Sequence, residues 1–192
     1  MKLALFLDCY GVLYINPSQL MREMKPERTA EVSDLENSFR LGYVTEGEFI
    51  DQASSLTGMS QSEVRSVYQS HLTPNLALIE LITKRLSGMY DVYVVSNTTQ
   101  SNLEELCDDS RVRDLGIQMA LSSELLGFTK PHPESYLAAL SRAGVEPGDA
   151  VMVDDLTSNV TGAERVGMAG LEYVSAIGAV NRLEEIYNAR IA

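Results

Sequence analysis

The sequence predicts an α/β fold in which a parallel sheet is covered by helices and interrupted near its start by an all-helical insertion. Three observations carry this reading. Short apolar runs at 3–7 (LALFL), 91–95 (DVYVV) and 150–153 (AVMV) look like strands buried on both faces. Segments with helical spacing separate them, which is the alternation a parallel sheet requires. Residues 15–74 show helices punctuated by Pro17, Pro26, Gly42, Gly58 and Pro74, and no strand pattern.

Taken in order, LALFL opens the chain and ends at Asp8. In the insertion, Thr45 with Glu48 and Ser60 with Glu63 each read as a capping box that starts a helix. Helices are expected over 74–88, 99–108, 133–143, 158–167 and 179–190, and weaker strands over 117–121 and 171–174. Pro133 suits a first helical turn and Gly144 a C-cap. The last helix places Val180, Leu183, Ile186 and Tyr187 on one face, the pattern of core packing. The plan is a core of 1–14 and 75–192 with an inserted helical unit of 15–74.

The composition narrows the function. The chain has 192 residues, 45% of them hydrophobic, enough for one domain with a modest insertion. A formal net charge of -12 disfavours nucleic acid and anionic lipid as partners. A small anionic metabolite remains compatible, provided the site supplies its own positive charge. The two cysteines, Cys9 and Cys107, match no metal or redox spacing and are expected as reduced thiols. No run approaches a membrane span, and the N-terminal apolar run is too short for a signal peptide, so a cytoplasmic location is expected.

Ligands of open α/β sheets bind at the carboxyl ends of the strands. The residues that follow the three clear strands are Asp8, Cys9, Tyr10 and Gly11, then Ser96 and Asn97, then Asp154 and Asp155. Lys130 lies in a fourth segment, GFTKPHPESY. Three crowded carboxylates would not all ionise unaided, and a hard cation such as Mg²⁺ would hold them. A carboxylate in such a setting can act as a nucleophile towards phosphorus, with the metal and a lysine offsetting charge on the phosphoryl oxygens.

These four segments resemble, in order, the motifs of the haloacid dehalogenase (HAD) superfamily: LFLDCYGVLY, VVSNTT, GFTKPHPESY and VMVDDLTSNVTGAERVGMAG. FRLGYVTEGEF, at 39–49, also looks like part of the small α-helical cap found between the first and second motifs in one branch. The resemblance implies a Rossmann-like core, a helical cap that closes over the site, and Mg²⁺. It makes Asp8 the nucleophile and a metal ligand, and the backbone carbonyl of Tyr10 a second ligand. Asp154 and Asp155 would hold the metal, Ser96 and Asn97 would bind the transferring group, and Lys130 would orient Asp8.

Tyr10 departs from the phosphatase pattern, which has a second Asp there to serve as general acid and base. A phenol with a pKa near ~10 is a poor base at neutral pH. Tyr10 therefore joins Asp8 and Lys130 as a catalytic candidate of open role. Metal-independent 2-haloacid dehalogenases resemble this chain at DCYG, but they replace the acidic pair that VDDLTSN retains. A carboxylate-binding arginine in the insertion would favour dehalogenation; Arg40 is placed for it, or is an exposed residue near a helix end. The expectation is a Mg²⁺-dependent phosphohydrolase, with a dehalogenase second and a weakly active or non-catalytic binding protein third. Read singly, Asp8, Asp154 and Asp155 could be turn or cap residues, Lys130 a surface lysine, and His71 and His132 surface and loop residues.

Overall fold

The computed structural model describes residues 2–14, 26–40, 44–69 and 73–191. Five parallel strands form one sheet: β1 (Leu3–Leu7), β2 (Tyr90–Ser96), β3 (Met119–Ser122), β4 (Ala150–Asp154) and β5 (Ala169–Glu172), in the spatial order β3-β2-β1-β4-β5. The helices of this part are α4 (Leu76–Arg85), α5 (Gln100–Cys107), α6 (Ser123–Leu126), α7 (Pro133–Ala143), α8 (Thr157–Arg165) and α9 (Ala176–Ile191). The chain divides into two compact units, Met1–Leu13 with Pro74–Ala192, and Tyr14–Thr73. The fold is α/β and Rossmann-like.

β1 and β4 are buried along their whole length because side chains on both faces meet helices. On one face Ala4, Phe6, Tyr93, Val95, Leu121 and Met152 pack with Tyr136, Ala139 and Leu140 of α7 and Ala163 of α8. Phe6 and Tyr93 stack there with ring centroids 4.9 Å apart. Leu3, Leu5 and Leu7 alternate to the opposite face. α4 and α9 pack on each other, with Leu78, Ile79 and Ile82 of the first and Val180 and Leu183 of the second buried. Tyr90 donates from its hydroxyl to the Leu183 carbonyl at 2.7 Å, and Arg85 forms a two-pronged pair with Glu184.

The weaker strands are shifted from their expected positions. β5 begins at Ala169 because its ladder with β4 pairs Ala169 with Val151 and Gly170 with Met152. A glycine is needed where α8 crosses: a Cβ on Gly170 would lie 2.7 Å from Val160 Cγ1. An apolar-run criterion misses that requirement and overshoots to Val174, which is 85% exposed. β3 starts at Met119, after the turn closed by Gly116. The caps follow the sequence closely: Pro133 opens α7 and Gly144 closes it in the left-handed conformation.

The second unit holds α1 (Thr29–Arg40), α2 (Glu46–Thr57) and α3 (Gln61–Gln69). Thr45 and Glu48 form the reciprocal capping box of α2, and Ser60 and Glu63 make the same exchange before α3. Val32, Leu35, Phe49, Ile50, Ala53 and Val64 make a small core of its own. Arg40 is the last residue of α1, but its side chain, like His71, lies outside the described residues. Among the described residues, no helix is long and apolar enough to cross a membrane.

Asn75 joins the two ends of the first unit's interrupted chain. Its backbone N–H donates to the Leu13 carbonyl at 2.8 Å, and its Nδ2 donates to the Val12 carbonyl at 2.9 Å and to the Tyr173 hydroxyl at 2.7 Å. Its Oδ1 accepts from the Leu78 N–H and caps α4, which is why that helix begins at Leu76 and not at Pro74. Asn75→Ala removes the three side-chain bonds and is expected to destabilise the protein by about 2 kcal/mol. Asn75→Asp, which keeps the cap acceptor, should cost less; urea unfolding midpoints at constant slope measure both.

Candidate active site

The strand order reverses between β1 and β4: β1 leads to β2 on one side, and the chain crosses back to β4 on the other. A crevice opens at the carboxyl ends of strands at such a switch point. Leu7 pairs with Val153, and the Asp8 N–H donates to the Val153 carbonyl at 2.9 Å. The register alone therefore sets Asp8 beside Asp154. Asp155 follows, half-buried, and one carboxylate oxygen from each of Asp8, Asp154 and Asp155 falls within 4.8 Å of the others.

Lys130 is delivered to the same point by the loop that precedes α7. Its Nζ lies 2.9 Å from Asp8 Oδ1 and 2.6 Å from Asp154 Oδ2, with all three side chains buried. Burial opposes the ammonium, but the charges of Asp8 and Asp154 outweigh it and hold its pKa above the ordinary lysine value. The backbone around Lys130 is held by Asn97, whose Oδ1 accepts from the Lys130 N–H at 2.8 Å and whose Nδ2 donates to the Lys130 carbonyl at 2.9 Å. The Lys130–Pro131 peptide bond is cis.

Both carboxylate oxygens of Asp154 are engaged. Oδ1 accepts from the Leu156 N–H and from Asn159 Nδ2, each at 3.0 Å. Asn159, buried in α8, also reaches Oδ2 at 3.1 Å, and its own carbonyl accepts from the Tyr136 hydroxyl at 2.7 Å. Asp8 Oδ1 accepts from the Cys9 N–H at 2.7 Å as well as from Lys130. Asp155 packs over Gly11: a Cβ there would lie 2.3 Å from Asp155 Oδ2, and Gly11 has φ of +93°. Glycine is thus required at 11 on both counts.

Ser96 ends β2 one strand away, buried, and its hydroxyl has no hydrogen-bond partner among the described residues. Tyr10 is half-buried, and its phenol oxygen accepts from Asn102 Nδ2 at 2.6 Å. Burial, and then the Asp8 charge, push the Cys9 thiol well above its usual pKa, so Cys9 is an inert packing residue. His132 caps α7, its Nδ1 accepting from the Glu134 N–H at 3.3 Å.

Asp8, Lys130, Asp154 and Asp155 are therefore brought together, with Ser96 ending the neighbouring strand β2. Asn97 serves the main chain of Lys130. Sequence reasoning did not single out Asn159, Tyr136 or Asn102. Asn159 and Tyr136 lie inside the quoted motifs, and the short Asp154–Asn159 spacing across a helix start was a usable signal. Asn102 carries no such mark.

The residues fit a hard divalent cation. Three carboxylates meet one ammonium, and the Asp155 carboxylate is seated against a bare glycine backbone. All the donors are oxygen, the ligand type of Mg²⁺.

The family model for haloacid dehalogenase-like hydrolases matches residues 3–167. The chain belongs to that family. Among curated relatives, this hydrolase is 25% identical over 190 residues to the sesquiterpene phosphatase astK of Aspergillus oryzae, covering 96% of each chain. It is 37% identical over 62 residues to flavin mononucleotide hydrolase 1 of Arabidopsis thaliana, 32% of this chain and 25% of that one. Its fold is similar to that of a HAD family enzyme of Bacteroides thetaiotaomicron solved with magnesium and inorganic phosphate (TM-score 0.59, 22% identity, 91% and 95% of the two chains). A HAD-superfamily hydrolase of Ehrlichia chaffeensis gives a TM-score of 0.61 at 18% identity over 97% and 98% of the two chains.

Replacing Lys130 by Met strands two buried carboxylates beside each other and should destabilise this hydrolase by about 3–5 kcal/mol, read from urea unfolding. Because the folded pKa of Lys130 is raised, its contribution is whole below about pH 10 and fades as pH rises through the raised value. The stability gap between wild type and Lys130→Met should therefore hold from neutral pH to the ordinary lysine pKa and narrow only beyond it.

Proposed function

We propose that this hydrolase is a Mg²⁺-dependent phosphohydrolase that acts on a small phosphate monoester through an aspartyl-phosphate at Asp8. The observation that carries the reading is the buried cluster of Asp8, Lys130, Asp154 and Asp155, with the unpartnered Ser96 hydroxyl at the end of the adjacent strand β2. The acidic pair Asp154 and Asp155 favours phosphoryl transfer over halide displacement, because a dehalogenase has no use for a cation site. The phosphatase names of the relatives point the same way.

Asp8, Asp154, Asp155 and the Tyr10 backbone carbonyl would hold Mg²⁺, which would offset charge on the phosphoryl oxygens. Asp8 Oδ1 is fixed by Lys130 and the Cys9 N–H, so Oδ2 is the attacking oxygen. It forms the bond to phosphorus as the bond to the leaving oxygen breaks. Lys130 neutralises the phosphoryl group and keeps Asp8 oriented, and Ser96 donates a hydrogen bond from its hydroxyl to a phosphoryl oxygen. Water then displaces phosphate and frees the Asp8 carboxylate. Asn97 is a positioning residue: with its amide bonded to Lys130's main chain, it serves the lysine and leaves the phosphoryl contact to Ser96. Residues 15–74 act as the cap that selects the substrate.

Tyr10 stands where a general acid would protonate the leaving group, a service typically worth ~10²–10⁴ in rate. Its phenol is a poor base at neutral pH. The preferred substrates are then esters whose leaving groups depart unprotonated, such as acyl and aryl phosphates.

Hydrolysis of an activated aryl phosphate should require Mg²⁺, stop with EDTA and fall at least ~10³-fold in Asp8→Asn. Across aryl phosphates of graded leaving-group pKa, kcat/KM should fall steeply as the leaving group becomes more basic; a flat profile would defeat the role given to Tyr10. Chloride release from 2-chloropropionate without metal, in place of phosphate ester turnover, would make the protein a dehalogenase.

A further inference from the structure

Tyr10 is not simply a large side chain left in the crevice. Its phenol oxygen accepts from Asn102 Nδ2 at 2.6 Å, and the same amide nitrogen donates to Thr98 Oγ1 at 2.9 Å. Both hydrogens of that amide are thereby assigned, and the amide plane is fixed. Asn102 sits in the first turn of α5, and Thr98 two residues after Ser96, so the tether runs from the nucleophile turn to the loop that follows β2.

That loop is itself rigidly held. The Ser123 hydroxyl donates to the Thr98 carbonyl at 3.2 Å, and the Gln100 N–H donates to Glu124 Oε2 at 2.8 Å. Gln100 also bonds the Ala120 carbonyl and the Ser122 N–H, locking α5 to β3. Thr99 caps α5 without a side-chain bond, and Thr98 spends its hydroxyl on Asn102 rather than on the helix. The loop therefore offers a fixed anchor, and Asn102 transmits it to Tyr10.

We propose that Asn102, braced by Thr98, is a positioning residue that holds the Tyr10 ring as a wall beside the departing group, and so sets which esters are accepted. This rests on the phosphohydrolase reading. In an in-line displacement the leaving group points away from the attacking carboxylate. Asp8 follows the carboxyl end of β1, the central strand, so the leaving group departs beyond that end of the sheet. Tyr10 and Asn102 both belong to segments that follow strand carboxyl ends, the first after β1 and the second after β2. A ring fixed by its phenol limits the shape of that space and keeps a group without useful acidity or basicity in it. A free ring would do neither.

The test is a double-mutant cycle with Asn102→Ala, Tyr10→Phe and the double variant, assayed on p-nitrophenyl phosphate and phenyl phosphate with Mg²⁺. Each single change should lower kcat/KM about tenfold, mainly through KM, the scale of one well-made hydrogen bond. The double variant should be no worse than either single one, because Asn102 acts only through the phenol. Inhibition by inorganic phosphate, which lacks a leaving group, should be unchanged in all three. Asn102→Leu, close in volume, replaces Asn102→Ala if the smaller side chain lowers the melting temperature. If wild type turns over these esters but the Asn102 change is silent, adds fully to Tyr10→Phe, or weakens phosphate inhibition equally, Asn102 has no positioning role. If wild type hydrolyses neither ester with any divalent metal, the phosphohydrolase reading fails, and this inference falls with it.

Discussion

A lysine ammonium between two buried carboxylates is the interaction on which the rest of the core depends. Lys130 lies within 2.9 Å of Asp8 and 2.6 Å of Asp154, and all three side chains are buried. Such a triad is expensive to bury, and several neighbouring groups compensate. Asn97 holds the lysine's backbone, Asn159 and the Leu156 N–H satisfy Asp154, and the Cys9 N–H satisfies Asp8. Three loops are thereby tied to one another by ion pairs and hydrogen bonds.

The sheet makes the triad possible. Strands β1 and β4 are neighbours although Asp8 and Asp154 lie 146 positions apart in the sequence, and their parallel register puts both acids at one end. Small residues then set how closely the loops approach. Gly11 admits the Asp155 carboxylate, and Gly170 admits α8 against β5. Polar chemistry and close packing are therefore two readings of the same local sequences, and a change to either glycine would be felt at the site or just beneath it.

Much of this was legible in the sequence because its causes are local. The continuous apolar runs named β1, β2 and β4, and the residues after them named Asp8, Ser96, Asp154 and Asp155. Thr45–Glu48 and Ser60–Glu63 announced their helices through reciprocal capping. What escaped notice depends on partners far away in number. β5 departs from the apolar pattern because Gly170 is required by a helix. Asn97 follows its strand as a ligand group would, and only the fold shows its amide on the backbone of Lys130. Asn102 meets Tyr10 across 92 positions, and no local spacing encodes that meeting.

The bond between the Asn75 N–H and the Leu13 carbonyl has a consequence for modularity. The two ends of the Tyr14–Thr73 unit are anchored within one hydrogen bond of each other on the core side. A segment whose termini are neighbours behaves like a surface loop, and loop length is tolerated because closure entropy grows only slowly with it. The insertion can therefore be exchanged for another helical unit, or for a short turn, without altering the path of β1 or α4. The same junction makes the parallel pairing of β1 with β2 a long-range event in folding, since Leu3 must find Tyr90 across the whole insertion. A shortened chain would meet that pairing sooner and should fold faster while keeping its sheet.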